Sequence, residues 1–105
     1  DEGKRLRKQL IANSEQFRAG MEKLGFDLVP GEHPIIPVML GDAVLASKMA
    51  KRMLDEGIYV IGFSFPVVPM GQARIRVQMC ATHTPQQIDL AIETFGRVGK
   101  EVGAI

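Results

Sequence analysis

Phe65-Pro-Val-Val-Pro-Met-Gly-Gln-Ala-Arg-Ile-Arg-Val-Gln-Met-Cys-Ala-Thr-His-Thr84 opens as a loop stiffened by Pro66 and Pro69 and continues as a strand. Residues two apart on a strand share a face. Ala73, Ile75, Val77 and Met79 therefore make one apolar face, and Arg74, Arg76 and Gln78 make the other. An apolar face needs a covering layer, so the segment calls for a sheet with helices on one side. The opposite face carries two guanidiniums side by side. An arginine held on a rigid strand can grip a small carboxylate through two parallel N–H···O bonds. Solvated charge on an open sheet face fits the same pattern. The loop–strand junction, with Gly71 just before the strand, is where binding residues tend to sit.

Downstream, Thr84-Pro85-Gln86-Gln87 is a helix start: threonine as N-cap, proline at the first helical position and glutamine at N3 for a capping box. The helix that follows turns Ile88, Ala91, Ile92, Phe95, Val98 and Val102 inward. Upstream, Ile58-Tyr-Val-Ile-Gly-Phe63 reads as a strand apolar on both faces, hence central. Before it, Asp42 caps a second helix in which Leu45, Met49 and Met53 repeat every four residues beside Ala46, Ala50 and Leu54, with Lys51 and Arg52 near its end and Gly57 closing it.

Ile35-Ile36-Pro37-Val38-Met39-Leu40 is a strand with proline inside. Proline cannot donate to the ladder, so this strand is expected at an edge or with a bulge. Residues 4–24 form an amphipathic helix through Leu6, Leu10, Phe17, Met21 and Leu24, stopped by Gly25. Asn13-Ser14 interrupts its stripe and predicts a kink or a polar contact there. The order is α-β-α-β-β-α. The fold class is α+β: a small, mostly antiparallel, three-stranded sheet covered by helices on one side.

The 105 residues suit one domain, 1–105, able to bury about 60–70% of its unfolded surface. A net charge of +1 gives no reason to expect nucleic acid as partner, and no apolar run reaches the roughly 20 residues of a membrane span. Asp-Glu-Gly-Lys-Arg at the start puts charge where a signal peptide needs an apolar core. One cysteine, Cys80, excludes an internal disulfide framework and suits a reducing compartment such as the cytoplasm; on pattern it is strand filling rather than a nucleophile. The chain begins without methionine, directly in a helical pattern, as a piece of a longer protein would.

Catalytic signals are sparse. His33 lies in a loop before proline, and His83 stands beside a helix cap, where its imidazole can meet backbone groups. One cysteine with two scattered histidines does not make a zinc site, and no metal is expected. There is no Gly-rich phosphate loop, no nucleophile elbow and no carboxylate pair on one face. Of the methionines, four fall at core-facing positions, so packing accounts for them better than a binding surface. The lysines at 4, 8, 23, 48, 51 and 100 all fall on helices, and none occupies the desolvated pocket that a Schiff-base lysine needs. The chain has a candidate carboxylate clamp and no catalytic residue of its own.

The runs His33-Pro-Ile-Ile-Pro-Val-Met-Leu-Gly-Asp-Ala43, Glu56-Gly-Ile-Tyr-Val-Ile-Gly-Phe63, Pro66-Val-Val-Pro69 and Gly71-Gln-Ala-Arg-Ile-Arg76 resemble the C-terminal part of the α-oxoamine synthase family. Within it they look like the glycine C-acetyltransferase branch, the 2-amino-3-ketobutyrate CoA ligases, and the likeness runs from the first helix to the last. The resemblance implies a fold-type-I pyridoxal phosphate (PLP) enzyme, homodimeric, which condenses glycine with acetyl-CoA to 2-amino-3-ketobutyrate and CoA in threonine catabolism. It implies that the second arginine of Ala-Arg-Ile-Arg, here Arg76, holds the substrate carboxylate, with Arg74 structural or supporting. It also implies that the cofactor-binding residues belong to a large domain absent from this chain. Met70 departs from the pattern, standing where relatives often carry a lysine before the glycine.

Two further readings come from the residues alone. One is a free-standing regulatory module of ferredoxin-like type that binds an amino acid through Arg74 and Arg76. The other is an interaction domain whose sheet face docks on a partner. Ligand binding by the isolated chain would favour the first of these.

Overall fold

A computed structural model of the chain describes residues 2–31, 34–79 and 83–105. Seven elements follow one another: α1 (Glu2–Leu24), β1 (Asp27–Leu28), β2 (Ile35–Gly41), α2 (Ala43–Asp55), β3 (Ile61–Phe63), β4 (Ala73–Gln78) and α3 (Pro85–Val102). The strands form one antiparallel sheet in the order β1-β2-β4-β3. The α+β class and the antiparallel sheet are as the sequence predicts, with one strand more than the expected three.

The alternation of the arginine strand is realised residue by residue. Ala73, Ile75 and Val77 are buried, while Arg74 and Arg76 are half-buried on the other side. The register carries the division across the sheet. Ile36 and Val38 of β2 face the same way as Val77 and Ile75, and all four are buried. Under them the core continues into Met49 and Met53 of α2, Phe17 and Met21 of α1, and Phe95 and Val98 of α3. Phe95 is the hub, meeting Phe17 edge-on at 5.7 Å and Phe26 at 6.2 Å between ring centroids. Gly99 sits so close to Phe26 that a Cβ there would lie 2.7 Å from Cζ. Glycine is what lets Phe26, just before β1, pack against α3.

The helix boundaries are chemical. Gly25 (φ 104°) ends α1, its N–H donating to Glu22 O at 3.0 Å. Asp42 caps α2, accepting from Val44 N. Thr84 and Gln87 form the reciprocal capping box of α3, and Gly103 closes that helix in the left-handed conformation. Asn13 and Ser14 are buried within α1, and the polar contact expected there is present: Asn13 Nδ2 donates to the backbone oxygen of His83 at 3.0 Å.

Two expectations change. The segment 58–63 is neither a full strand nor central. Ile58 N donates back to Met53 O, so it completes the end of α2, and pairing with β4 begins only at Ile61. The double-sided apolar character has two sources: Val60 enters the core, while Ile61 and Phe63 share the arginine face of an edge strand. The second change is β1, which pairs Asp27 with Met39 and Leu28 with Val38. The proline strand meets its expectation of an edge or a bulge through the second alternative: it lies inside the sheet and is irregular between Met39 and Gly41.

Proline is tolerated inside the sheet for a specific reason. Pro37 accepts from Val29 N at 3.2 Å, so its backbone faces the β1 side, and the ladder to β4 loses no donor. Val29 O, which an ordinary residue at position 37 would have satisfied, instead accepts from Arg18 Nη1 at 2.7 Å. The positions of His33 and Cys80 lie outside the described residues.

Candidate functional site

The open face of the sheet is built by register. Pro37 stands opposite Arg76, and Met39 opposite Arg74. On the other side of β4, Ile61 stands opposite Arg76 and Phe63 opposite Arg74. Two guanidiniums thus emerge from a floor of Ile61, Phe63, Pro37 and Met39, with Gln78 at the far end. Apolar surroundings strengthen an arginine's hold on an anion by lowering the local dielectric.

The two arginines are held differently. Arg74 Nε donates to Gln72 O at 3.1 Å and its Nη2 to Gln72 Oε1 at 3.4 Å, tying it to the end of the loop. Arg76 places its Cζ 4.9 Å from the Phe63 ring centroid. Among the described residues no carboxylate lies within ion-pair distance of Arg76. Its N–H edge is therefore uncommitted to an internal acid, whereas Arg74 already spends donors within the chain. Nothing in the residue spacing singles out Phe63, because its place diagonal to Arg76 depends on the β3–β4 register.

Beside this face, the loop carrying a cis Phe65–Pro66 bond presents Phe65, Val67 and Met70 to solvent, Met70 being 77% exposed. Phe65 and Met70 border a hollow completed by Gly41, Asp42, Ala43, Gly71 and Ala73. A separate groove of about 360 Å³ lies between the segment before β3 and α3, lined by residues including Tyr59, Val77, His83 and Leu90. His83 is tied to α1 through its backbone, its carbonyl accepting from Asn13 Nδ2.

Displaced protonation equilibria lie at the seam of α2 and α3, away from the arginine face. The hydrogen bond from Arg52 Nε, at 2.5 Å, is the main cause holding the Glu101 carboxyl below its ordinary range. Arg97 does the same for Glu56, and Arg52 also lies near Glu56 and Asp55. These are partly exposed structural pairs that join two helices.

The six lysines are all exposed on helices: Lys4, Lys8 and Lys23 on α1, Lys48 and Lys51 on α2, Lys100 on α3. Among the described residues no three histidine, cysteine or acidic side chains cluster as a metal site would require. Among the described residues no helix is long and apolar enough to cross a membrane.

The chain is similar to known proteins along nearly its whole length. The chain is 58% identical to the 2-amino-3-ketobutyrate coenzyme A ligase of Escherichia coli (strain K12) over 98% of its own length, which is 26% of that protein. It is 54% identical to the mitochondrial 2-amino-3-ketobutyrate coenzyme A ligase of Homo sapiens, over 91% of this chain and 23% of that one. Among solved structures, one of SPT with a PLP internal aldimine superposes with a TM-score of 0.94 at 33% identity, covering 98% of this chain and 26% of that chain. The chain spans about a quarter of the length of the relatives it matches. The family described as aminotransferase class I and II matches residues 1–95. Nine-tenths of the sequence, including both arginines and the whole sheet, lies within that match, and the chain belongs to the aminotransferase class I and II family.

Proposed function

We propose that residues 1–105 are the small C-terminal domain of a PLP-dependent acyltransferase that condenses glycine with acetyl-CoA to 2-amino-3-ketobutyrate and CoA. The similarity of nearly the whole chain to two ligases of that name supports the reaction. The observation that carries the role of the site is Arg76: a strand-borne guanidinium on an apolar floor, its donors not taken by any described carboxylate. In this reading Arg76 takes the glycine carboxylate in a two-point fork. A fork fixes rotation about the substrate's Cα–N bond, which a single charge contact would leave free. Arg74, tied to Gln72, supports the strand end and adds positive potential without touching substrate.

This chain does not itself offer a PLP site. Every lysine is exposed on a helix rather than set in the desolvated pocket an aldimine lysine needs, and a large domain outside residues 1–105 is assigned the cofactor. When bound there, PLP supplies an electron sink for charge developing at the substrate Cα. The open sheet face then becomes one wall of a site shared with that domain, in a homodimer placed in the cytoplasm. The free-standing module reading finds no support in relatives of which this chain is only a quarter.

The test is a visible absorption spectrum of the full-length protein carrying this chain, beside the 105-residue chain alone. A cofactor band that shifts on adding glycine, seen only in the long protein, is the expected result. Glycine binding by the short chain with no chromophore in either would overturn the enzyme reading.

A further inference from the structure

We propose that Phe63 is the positioning residue of the carboxylate clamp, a proposal that rests on the role given to Arg76 above and adds what holds that side chain ready. Phe63 stands opposite Arg74 in the β3–β4 register and so lies diagonal to Arg76, within reach of a long side chain. The Arg76 Cζ sits 4.9 Å from the ring centroid, inside the roughly 6 Å over which an aromatic quadrupole attracts a guanidinium.

The chemistry of this contact differs from that of an ion pair. The guanidinium carbon lies over the ring, and an aromatic ring restrains the group through its quadrupole without an acceptor oxygen that would compete for the N–H donors as a carboxylate does. A carboxylate in the same place would hold Arg76 equally well but would compete with the substrate. Gln72 illustrates the alternative on Arg74, where the restraint is made by taking donors. Binding that must first immobilise a free arginine loses affinity to rotamer entropy, and a side chain already restrained loses less.

The test uses the full-length protein, titrated calorimetrically with glycine. Phe63→Leu keeps an apolar side chain and removes the quadrupole; we expect glycine to bind about three- to thirtyfold more weakly. Phe63→Tyr keeps the ring and should stay near the parent affinity. In an Arg76→Ala background, Phe63→Leu should cause no additional loss, because the residue acts through Arg76. Losses that multiply in the double variant, or no loss from Phe63→Leu beside a clear loss from Arg76→Ala, would overturn the positioning role alone. An Arg76→Ala protein that binds glycine normally would overturn the clamp reading itself. Fluorinated phenylalanines at position 63 guard against misfolding of the leucine variant, since they weaken the quadrupole with little change of shape. Glycine affinity should fall stepwise with fluorination, and a flat response sinks the proposal.

Discussion

The Asn13 side-chain amide donates to the backbone carbonyl of His83 at 3.0 Å, joining the middle of α1 to the residue just before the cap of α3. Asn13 is itself buried, and Gln9 Nε2 donates to its Oδ1 at 2.9 Å. Replacing it with alanine removes a donor from a partly buried carbonyl. We expect Asn13→Ala to lower stability by about 1–3 kcal/mol, read from the midpoint of denaturant unfolding. A change within about 0.5 kcal/mol, the range usual for surface substitutions, would mean that this contact does not stabilise the fold.

Two glycines of α3 should respond in opposite directions to alanine. At Gly99 the new methyl would lie 2.7 Å from Phe26 Cζ, and Phe26 is wedged against Phe95. Overpacking of about 1–3 kcal/mol should exceed the roughly 1 kcal/mol that alanine gains in a helix, so Gly99→Ala destabilises. At Gly96 the nearest atoms are the tips of half-buried Leu24, 3.1 and 3.3 Å away, which can shift. Gly96→Ala should be neutral or mildly stabilising. Parallel thermal melts of the two variants decide the matter, and equal shifts would contradict the packing described.

The arginines should separate cleanly in the full-length protein. Arg76→Ala is expected to weaken glycine binding by about 1.5–3 kcal/mol, the value of a hydrogen-bonded charge, and Arg76→Lys to recover only part of it because an ammonium cannot make the fork. Arg74→Ala should leave glycine affinity within a few-fold. If Arg74 proves the more sensitive position, the two roles are reversed.

Stability should fall in acid through the seam of α2 and α3. Glu101 and Glu56 are both held below their ordinary values, first by hydrogen bonds from Arg52 and Arg97. A carboxyl depressed in the folded state stabilises fully above its unfolded value near 4.5 and loses that contribution as pH falls through the folded one. Melting temperature should therefore decline below about pH 5. Glu101→Gln should flatten the decline, and added salt should weaken the effect because the groups are partly exposed. An unaltered acid profile in the variant would exclude Glu101 as a contributor.

Thr84→Ala should cost about 1 kcal/mol by opening the capping box at α3, with Gln87→Ala costing less. Unfolding midpoints rank the two.

Local chemistry made much of this molecule readable. The capping box at Thr84, the alternation of Ala73–Gln78 and the polar break at Asn13-Ser14 each depend on residues within a few positions of one another. What stayed hidden depends on distant pairing. β1 is two residues long, too short to show a period. The tolerance of Pro37 requires Val29 and Arg18, and the late start of β3 follows from Ile58 bonding back to Met53 at the end of α2. The candidate clamp divides in the same way. Alternation places Arg74 and Arg76 on one face, but only the strand register puts Phe63 beneath the second of them.

The distribution of cations has a practical outcome. All six lysine ammonium groups lie on helices, whereas among the described residues the cations of the sheet's open face are the guanidiniums of Arg74 and Arg76. Amine-directed tethers and dyes will therefore attach to the helical layer and leave the Arg76 face clear, so a surface coupled through its lysines presents that face to solution. Dicarbonyl reagents, which modify arginine, will reach it. Protection of position 76 from such a reagent can then report docking of the proposed large domain on the immobilised chain, without any change in its sequence.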